Sequence, residues 1–458
     1  MTLRFAMLLM PALFYGASAA AQTDSNLQMA LDAYLNAHYQ NQDFMGEVLI
    51  ADTDNIIAHS IVGMADIESQ RPHAANDIYH VASLTKQFTG AAIAVLVSRG
   101  QLSLDSTLGE LLPDFATGIS GAADISVLQL ARHEAGIADY NNFPDYARMS
   151  RSAVTLDEVL AWIDQQVSQA EPGAYRYSNS HYAILARIIE QVSGMSYTDF
   201  MQQTLFEPAG MHHSGHFRAE DIVPGRVAGY DPGHGLSLVN APVLDNSMKL
   251  GSGSLHTSAF DLLNWHRALQ RHDVLDEKTQ ALYLTPGAHD YAMGISVGKD
   301  SSTGETVVHH DGKSPGVAAW FKRWPESGKV LIVLSNVNTG VLNRMKTDLT
   351  ELVNGKPIDP PALRQIRALD KQLAEAAPGT YQFPPATRIG ITRSQDGLTL
   401  YWGDGGLPQH LIPLADSDWF LMGSRGDRIR FVSNSQGEIN ELEYDWGGGI
   451  ERCPRLPL

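Results

Sequence analysis

The sequence predicts an α+β protein, because strand patterns lie at both ends of a long first region and helical patterns fill its middle. Two β-type apolar runs, at 46–54 and 55–68, precede the helical part, and four more follow between 290 and 337. We therefore expect an antiparallel sheet assembled from both ends of this region. A further series of short β-type runs around glycine turns, from 379 to 458, predicts a small antiparallel, barrel-like C-terminal domain.

The N-terminus has the features of a cleavable signal peptide, residues 1–21. One basic residue, Arg4, is followed by a short apolar run and then by small residues in Ala-x-Ala spacing. The apolar run is shorter than the roughly 20 residues that a membrane span requires. We therefore predict cleavage near Ala20 to Gln22 and an exported protein, periplasmic or secreted, with no stable membrane span.

Composition narrows the classes of partner. The chain has 458 residues and a formal net charge of −18. This charge repels phosphate backbones, and because no Lys/Arg-rich run offsets it, nucleic acid is not an expected partner. The single cysteine, Cys453, cannot form an intramolecular disulfide, so stability must come from the core. The sequence carries no pattern that specifies an oligomeric state.

The elements of the first region follow from periodicity and capping. An amphipathic helix is predicted at about 27–42, and an Asp/Asn turn joins the next two strand patterns into a hairpin. A long apolar helix begins at Ser83 and ends before Gly100, because a basic last turn followed by glycine is typical of a helix C-terminus. A later helix begins after Thr257 or Ser258, either of which is a suitable N-cap.

A break between the two folded parts is predicted at 355–361, "GKPIDPP", where the prolines end a helix and stiffen the connection. A short helix is predicted at 362–377, before the C-terminal strands. The predicted divisions are a signal peptide at 1–21, a main domain at 22–355, a linker with a short helix at 356–378 and a β domain at 379–458.

Ser83 and Lys86, in "VASLTKQF", have side chains suited to acyl transfer. They lie three residues apart at the start of a helix and so share one face. The positive end of the helix dipole and the apolar surroundings favour the neutral amine, which can take a proton from the serine hydroxyl. Unpaired N–H groups at the same helix end suit an oxyanion. The alternative is an N-cap serine and a solvated lysine.

Two later motifs supply further polar groups. Tyr177 and Asn179, in "YSN", follow a Pro-Gly turn, and an extended chain would direct both side chains to the same side. A phenol beside a lysine can transfer a proton, and an amide can bind both ends of a peptide-like group. His310 and Gly312 end a strand pattern, where the glycine allows close approach to the backbone and the N–H of Lys313 can face an acyl oxygen. Alone, the first of these motifs is better explained as a turn with a surface tyrosine. The alternative for the second is a hairpin turn that carries a histidine.

Together the motifs S-x-x-K, Y-x-N and H-x-G resemble those of the serine β-lactamase and penicillin-recognising superfamily. The order and spacing are most similar to its class C-like branch of β-lactamases, DD-peptidases, D-aminopeptidases and esterases. The resemblance covers about 27–354 and implies a β-lactamase/transpeptidase-like domain that needs no cofactor. By this resemblance the catalytic residues are Ser83, Lys86 and Tyr177, and the substrate-binding residues are Asn179, His310, Gly312 and Lys313. It also implies that Ser83 is the nucleophile and that the N–H groups of Ser83 and Lys313 form the oxyanion hole.

One departure from the family pattern bears on the substrate. Position 310 is His where typical β-lactamases and carboxypeptidases have Lys, so a permanent cation for a substrate carboxylate is missing. We therefore predict an exported serine hydrolase that forms an acyl-enzyme at Ser83 on a small-molecule or peptide substrate, either an ester or a D-amino-acid or peptidoglycan-type peptide. The alternatives are a β-lactamase and a catalytically silent binding protein of the same fold.

Three histidines, His212, His213 and His216, also suggest a metal site. The run lacks the H-E-x-x-H pattern and has no carboxylate at a metal-ligand spacing. We therefore predict a solvated loop and no metal.

Overall fold

The computed structural model describes residues 14–115, 121–165, 173–233, 235–394, 397–403, 408–423, 426–446 and 449–457, with side chains from residue 25 onward. In chain order the helices are α1 Phe14–Gln40, α2 Thr85–Ser98, α3 Leu108–Leu111, α4 Val127–Ala131, α5 Tyr146–Met149, α6 Leu156–Asp164, α7 Asn179–Ser193, α8 Tyr197–Met201, α9 Ala259–Arg271, α10 Glu277–Tyr283, α11 Leu342–Val353 and α12 Lys371–Ala376. The strands of the first region are β1 Gly46–Ala51, β2 Ile56–Val62, β3 Met64–Asp66, β4 Arg71–Pro72, β5 Tyr79–His80, β6 Gly215–His216, β7 Tyr230–Pro232, β8 Leu238–Asn240, β9 Leu255–Thr257, β10 Ser296–Lys299, β11 Thr306–Ser314, β12 Val317–Trp324 and β13 Lys329–Ser335. The C-terminal strands are β14 Gly379–Phe383, β15 Thr387–Ser394, β16 Gly397–Trp402, β17 Gln409–Pro413, β18 Phe420–Met422, β19 Arg428–Ser433, β20 Ile439–Asp445 and β21 Ile450–Pro454.

The first region is built on a six-stranded antiparallel sheet with the order β10-β11-β12-β13-β1-β2. Strand β1 pairs with β2 in the predicted hairpin and with β13 on its other side, in the register Gly46↔Ser335. The expected α+β sheet, assembled from both ends of the region, is therefore confirmed. Strand β10 is shorter than the run that predicted it and begins only at Ser296.

Helices cover both faces of this sheet, and the alternation of side chains along β1 shows how. Val48 and Ile50 belong to a core cluster with residues of α1 and α11, whereas Leu49 and Ala51 belong to a larger cluster with α2, α7 and α9. Helix α2 is buried along almost its whole length, and Phe88 of α2 lies 4.7 Å from the ring of Trp265 in α9. Helices α7 and α9 therefore pack around α2 and hold it against the sheet.

Helix boundaries differ from the predicted ones by a few residues. Helix α1 ends at Gln40, and α2 begins at Thr85 because Ser83 lies in a preceding 3₁₀ turn. Ser258 is the N-cap of α9, and its hydroxyl accepts a hydrogen bond from the N–H of Asp261. The predicted signal peptide lies mostly outside the described residues, which begin at residue 14 within α1. In the described part of the chain, no helix combines the length and apolarity needed to cross a membrane.

The connection between the two sheets has little regular secondary structure, and its helix is shorter than predicted. Helix α12 begins only after Asp370, whose carboxylate caps it by accepting from the N–H of Leu373. The preceding residues instead pair with the end of β17, where the N–H of Arg367 donates to the carbonyl of Pro413 at 3.0 Å. Because this pairing and a salt bridge from Arg364 to Asp43 fix the segment, local helix propensity does not decide its conformation.

The C-terminal strands form an eight-stranded antiparallel meander in chain order, β14 to β21. The N–H of Leu456, just beyond β21, donates to the carbonyl of Thr380 in β14 at 2.8 Å, and Tyr381 forms a bridge with Arg455. The last strand therefore lies beside the first, and the sheet closes as a barrel around its own apolar cluster. This agrees with the expected barrel-like β domain.

Close packing of α2 gives a prediction about stability. Gly90 of α2 lies against the backbone of Met293, and a Cβ at this position would stand 1.9 Å from the Met293 carbonyl oxygen. We expect Gly90→Ala to lower the free energy of unfolding by about 1–3 kcal/mol through overpacking. Gly298→Ala is the matched control, because a Cβ there meets only Val307, at 4.0 Å. Urea denaturation of both variants tests this, and equal midpoints would contradict it.

Candidate active site

The predicted nucleophile lies on a tight turn rather than inside a helix. Residues Ala82–Leu84 form a 3₁₀ turn, and the buried Ala82 has a positive φ of 45°, which non-glycine residues rarely adopt. The hydroxyl of Thr85 donates to the Ala82 carbonyl at 2.7 Å and stabilises this turn. Ser83 remains half-buried, so its hydroxyl is accessible from a cleft while its neighbours are packed.

Lys86 is completely buried in the first turn of α2. Its ammonium donates to the Ser83 hydroxyl at 3.1 Å, to Oδ1 of Asn179 at 2.7 Å and to the Ser252 carbonyl at 2.7 Å. These three acceptors match its three N–H bonds. Burial lowers the pKa of Lys86 to about 7, since a charged amine is disfavoured away from water.

Several other groups surround the Lys86 amine. The carboxylates of Asp139 and Asp311 raise its pKa, and the ammonium of Lys249 lowers it, all by weaker effects than burial. The ring of Tyr177 lies 4.8 Å from the amine and the ring of Tyr182 lies 5.5 Å from it. The lowered pKa of Lys86 makes its neutral form accessible near neutral pH, as a general base requires.

Tyr177 lies beside Ser83 in the loop before α7. Its hydroxyl forms a hydrogen bond with Ser83, and burial raises the pKa of the phenol well above its usual value. The buried His133 positions this loop, because its Nδ1 accepts from the N–H of Ser178 at 3.2 Å and its carbonyl accepts from the N–H of Arg176 at 2.7 Å. The phenol is therefore held in its protonated form within reach of the serine.

Asn179 is the first residue of α7, and its amide is oriented from behind by a carboxylate. Its Nδ2 donates to both oxygens of Asp139, each at 3.2 Å, and its backbone N–H donates to one of them. This arrangement turns Oδ1 of Asn179 towards Lys86. Nothing in the sequence pattern around Asp139 indicates this role, since the residue also caps a short turn at Asn141.

His310 lies on β11 and is neutral. Burial lowers its pKa to about 4. The carbonyl of Asp311 can only accept, so Nδ1 of His310 carries the proton and donates to it at 2.6 Å. Its Nε2 then accepts from the hydroxyl of Tyr291 at 3.0 Å. At neutral pH the imidazole is therefore uncharged, so position 310 carries no positive charge.

Gly312 allows β11 to approach the nucleophile. A Cβ at this position would stand 2.0 Å from the carbonyl oxygen of Val81 and 3.1 Å from the backbone nitrogen of Ser83. Strand β10 pairs with β11 only as far as His309, so the following residues of β11, including Lys313, border the site. The glycine at 312 is therefore required by contact rather than by backbone angles.

These residues surround a cleft of about 530 Å³. The described residues that line it are Ser83, Asp139, Asn141, Tyr175, Tyr177, Asn179, Tyr291, Ser296, His309, His310, Asp311, Lys313, Trp320 and Lys346. The structure thus brings all seven predicted site residues together, with Lys86 and Gly312 directly behind the lining. Lys346 contacts Asp311 at 2.5 Å, and although burial opposes it, this cation lowers the pKa of Asp311 to about 2.

The turn from Lys249 to Ser252, which supports Lys86, was not apparent from the sequence. The carbonyl of Lys249 accepts from the N–H of Ser252 at 2.9 Å, and the hydroxyl of Tyr140 lies 2.5 Å from the Ser252 hydroxyl. The buried ammonium of Lys249 donates to the hydroxyl of Ser314 at 2.9 Å. This turn therefore links the acceptor of Lys86 to strand β11, and only tertiary contacts reveal it.

The histidine run that suggested a metal site has other contacts. His216 hydrogen-bonds the Ser254 hydroxyl through Nδ1 at 2.8 Å, and His213 lies 3.6 Å from Asp261. Among the residues with described positions, no three His, Cys, Asp or Glu side chains are grouped to hold a metal ion.

The chain is similar to several known proteins. The model of the beta-lactamase family matches residues 32–354. Penicillin-binding protein 4* of Bacillus subtilis is 26% identical over 411 residues, 83% of this chain and 89% of that protein. A penicillin-binding protein structure from Bacillus halodurans has a TM-score of 0.60 and 23% identity, covering 69% of this chain and 99% of its own. D-amino acid amidase from Ochrobactrum anthropi, complexed with L-phenylalanine amide, has a TM-score of 0.60 and 21% identity, covering 73% and 98%.

The fold and the site define a serine hydrolase of the β-lactamase/transpeptidase type. The family match spans well over half of the chain, so the chain belongs to the beta-lactamase family. The similarity to penicillin-binding proteins and to a D-amino acid amidase agrees with the expected class C-like branch.

The position of Lys249 gives a prediction about pH dependence. Its positive charge disfavours the charged form of Lys86, so replacing it with a neutral side chain raises the pKa of Lys86. If neutral Lys86 is the base, kcat/KM rises with pH through that pKa. We expect Lys249→Met to move this acid limb to higher pH by about one unit.

Lys249→Arg is the matched control, since it retains the charge and we expect it to keep the limb near the wild-type position. The measurement is kcat/KM for an activated ester between pH 5 and 9. An acid limb that stays in place in Lys249→Met would show that this charge does not act on the base.

Proposed function

We propose that this chain is an exported serine hydrolase that forms an acyl-enzyme at Ser83 and acts on esters or on D-amino-acid or peptidoglycan-type amides. The observation that carries the proposal is the contact between the Ser83 hydroxyl and a completely buried Lys86, whose pKa is lowered to about 7. A lysine in this state can accept a proton at neutral pH, which an exposed lysine does rarely.

In the first step, the Ser83 oxygen attacks the scissile carbonyl and its proton passes to the neutral amine of Lys86. We assign Lys86 rather than Tyr177 as this base, because the raised pKa of the phenol keeps it protonated. The backbone N–H groups of Ser83 and Lys313 stabilise the oxyanion, an interaction typically worth about 10²- to 10³-fold in rate for each donor. Strand β11 is held close enough for this by the contact at Gly312.

The second step expels the leaving group and the third hydrolyses the ester. The phenol of Tyr177 delivers a proton to the leaving oxygen or nitrogen and regains one from Lys86. Water then attacks the acyl carbon, gives its proton to the same pair of groups and releases the acid, which restores the Ser83 hydroxyl. Asn179 orients the substrate and is itself fixed by Asp139.

The substrate class rests on two observations. His310 is neutral and held by Tyr291, so the cleft lacks at this position the fixed cation of typical β-lactamases. The similarity in fold to a D-amino acid amidase makes D-amino-acid amides reasonable candidates. We therefore rank ester and D-amino-acid amide hydrolysis above hydrolysis of a cephalosporin, and a panel of the three substrates tests the ranking.

Removal of the nucleophile tests the mechanism. Ser83→Ala is expected to lower kcat by at least about 10³-fold on every substrate of that panel, because the acyl-enzyme cannot form. Its thermal unfolding should match that of the wild type, since Ser83 is half-buried and its side chain is small. Wild-type turnover in this variant would refute the assignment. A catalytically silent binding protein would instead give no fluorophosphonate adduct at Ser83 of the wild-type chain, as read by peptide mapping.

Export is proposed from the N-terminal sequence. When the full-length gene is expressed in a Gram-negative host, we expect the mature protein in the periplasm or medium with an N-terminus between Ala20 and Gln22. Replacing Ala19 with Arg should block processing and leave a longer, cell-associated form. Edman sequencing and fractionation give the result, and an unprocessed protein of unchanged location in both cases would contradict the proposal.

A further inference from the structure

A second cavity, of about 330 Å³, lies at the end of β11 beyond Lys313. Its described lining includes two arginines, Arg218 and Arg226, and two histidines, His80 and His256, together with Asn246 and Ser314. This described lining contains no aspartate or glutamate, and the nearby carboxylate of Asp245 accepts a hydrogen bond from the N–H of Ala219. Because the chain as a whole has a net charge of −18, this cavity is a local reversal of charge.

The two arginines differ in how far nearby carboxylates compensate their charge, because Arg218 interacts with Glu220 and Asp245 and Arg226 has no such partner among the described residues. Arg226 is half-buried and donates to the backbone carbonyl of Arg218 at 3.4 Å, while in the described part of the chain it forms no ion pair. Arg218 pairs with Glu220 at 3.0 Å, but both side chains are about half exposed or more, so water screens that pair. Guanidinium groups stay protonated at all relevant pH values.

A third cation, Lys249, lies just outside the lining of the cavity. The ammonium of Lys249 is buried and donates to the hydroxyl of Ser314, which lines the cavity. Asn246, on the same turn as Lys249, also lines it. An anion bound in the cavity would be stabilised by the positive charges beside it.

The cavity and the catalytic cleft are lined by neighbouring residues of the same strand, β11. Gly312 and Ser314 are two residues apart on one strand, so they share a face and are separated by about 7 Å. Gly312 touches the backbone of Ser83, and Ser314 lines the cavity. On the other side, His80 lines the cavity and lies in the segment that leads directly to the nucleophile. A substrate bound at Ser83 that extended about 7 Å along β11 would lie beside the cavity.

We propose that this cavity is an anion subsite of the catalytic centre, in which Arg226 and Arg218 bind a carboxylate carried by the substrate several bonds from the scissile carbonyl. The proposal rests on the proposed acyl transfer at Ser83 and narrows its substrates to carboxylate-bearing esters or amides. The two arginines would then bind a negatively charged group of the substrate in a protein whose residue 310 carries no charge. The carboxylate is positioned by charge-assisted hydrogen bonds from the guanidinium groups.

The test compares two substrates of equal length, the mono-p-nitrophenyl ester of glutaric acid and the same ester with a terminal carboxamide. We expect the wild type to prefer the carboxylate, and Arg226→Gln to reduce the ratio of the two kcat/KM values by about tenfold or more. The matched control is Arg271→Gln, an exposed arginine on α9 that should leave both rates unchanged. A ratio that Arg226→Gln does not alter, or a wild-type preference for the carboxamide, overturns the subsite.

A binding measurement separates this inference from the proposed function. Glutarate titrated calorimetrically into Ser83→Ala should bind, and adding Arg226→Gln to that variant should weaken the binding by about tenfold. Hydrolysis of both esters without preference overturns the subsite alone. Arg226-dependent binding of glutarate in a protein that hydrolyses neither ester supports the subsite as an anion site and overturns the proposed hydrolysis.

Discussion

The burial of one ammonium group organises the catalytic part of this molecule. Away from water, the charged form of Lys86 is stable only if each N–H finds an acceptor, and the three acceptors come from the nucleophile turn, from α7 and from the turn at Ser252. These segments are distant in sequence. Because all three segments supply an acceptor to the same side chain, they lie together around Lys86. The burial that makes these acceptors necessary also lowers the pKa of Lys86.

The sheet supplies the other half of the site. Strand β11 is held by β12 along its length and meets the nucleophile turn at Gly312, where two backbones touch without an intervening side chain. The turn itself is fixed by the buried α2 and by the hydroxyl of Thr85. Because both partners are anchored in the main core, the backbone N–H groups that we propose as oxyanion donors are held in place before a substrate arrives, which is the condition for electrostatic catalysis.

Much of the framework could be predicted from local patterns. Alternating apolar residues located the strands, and three short motifs located Ser83, Lys86, Tyr177 and His310, since these groups carry their chemistry in their type and spacing. Asp139 and Lys249 could not be found in this way, because their effect on the site arises from tertiary contacts alone. The same reason explains the extended segment before α12, where pairing with another strand outweighs helix propensity.

The closure of the C-terminal barrel has a consequence for how the chain acquires its shape. The seam joins the first and last strands of the barrel, β14 and β21, through Leu456 and Thr380. It cannot form before β21 has been synthesised, because every other strand of the barrel precedes β21 in the chain. Until β21 pairs, the edges of β14 and β20 stay open to any chaperone that recognises unpaired strands.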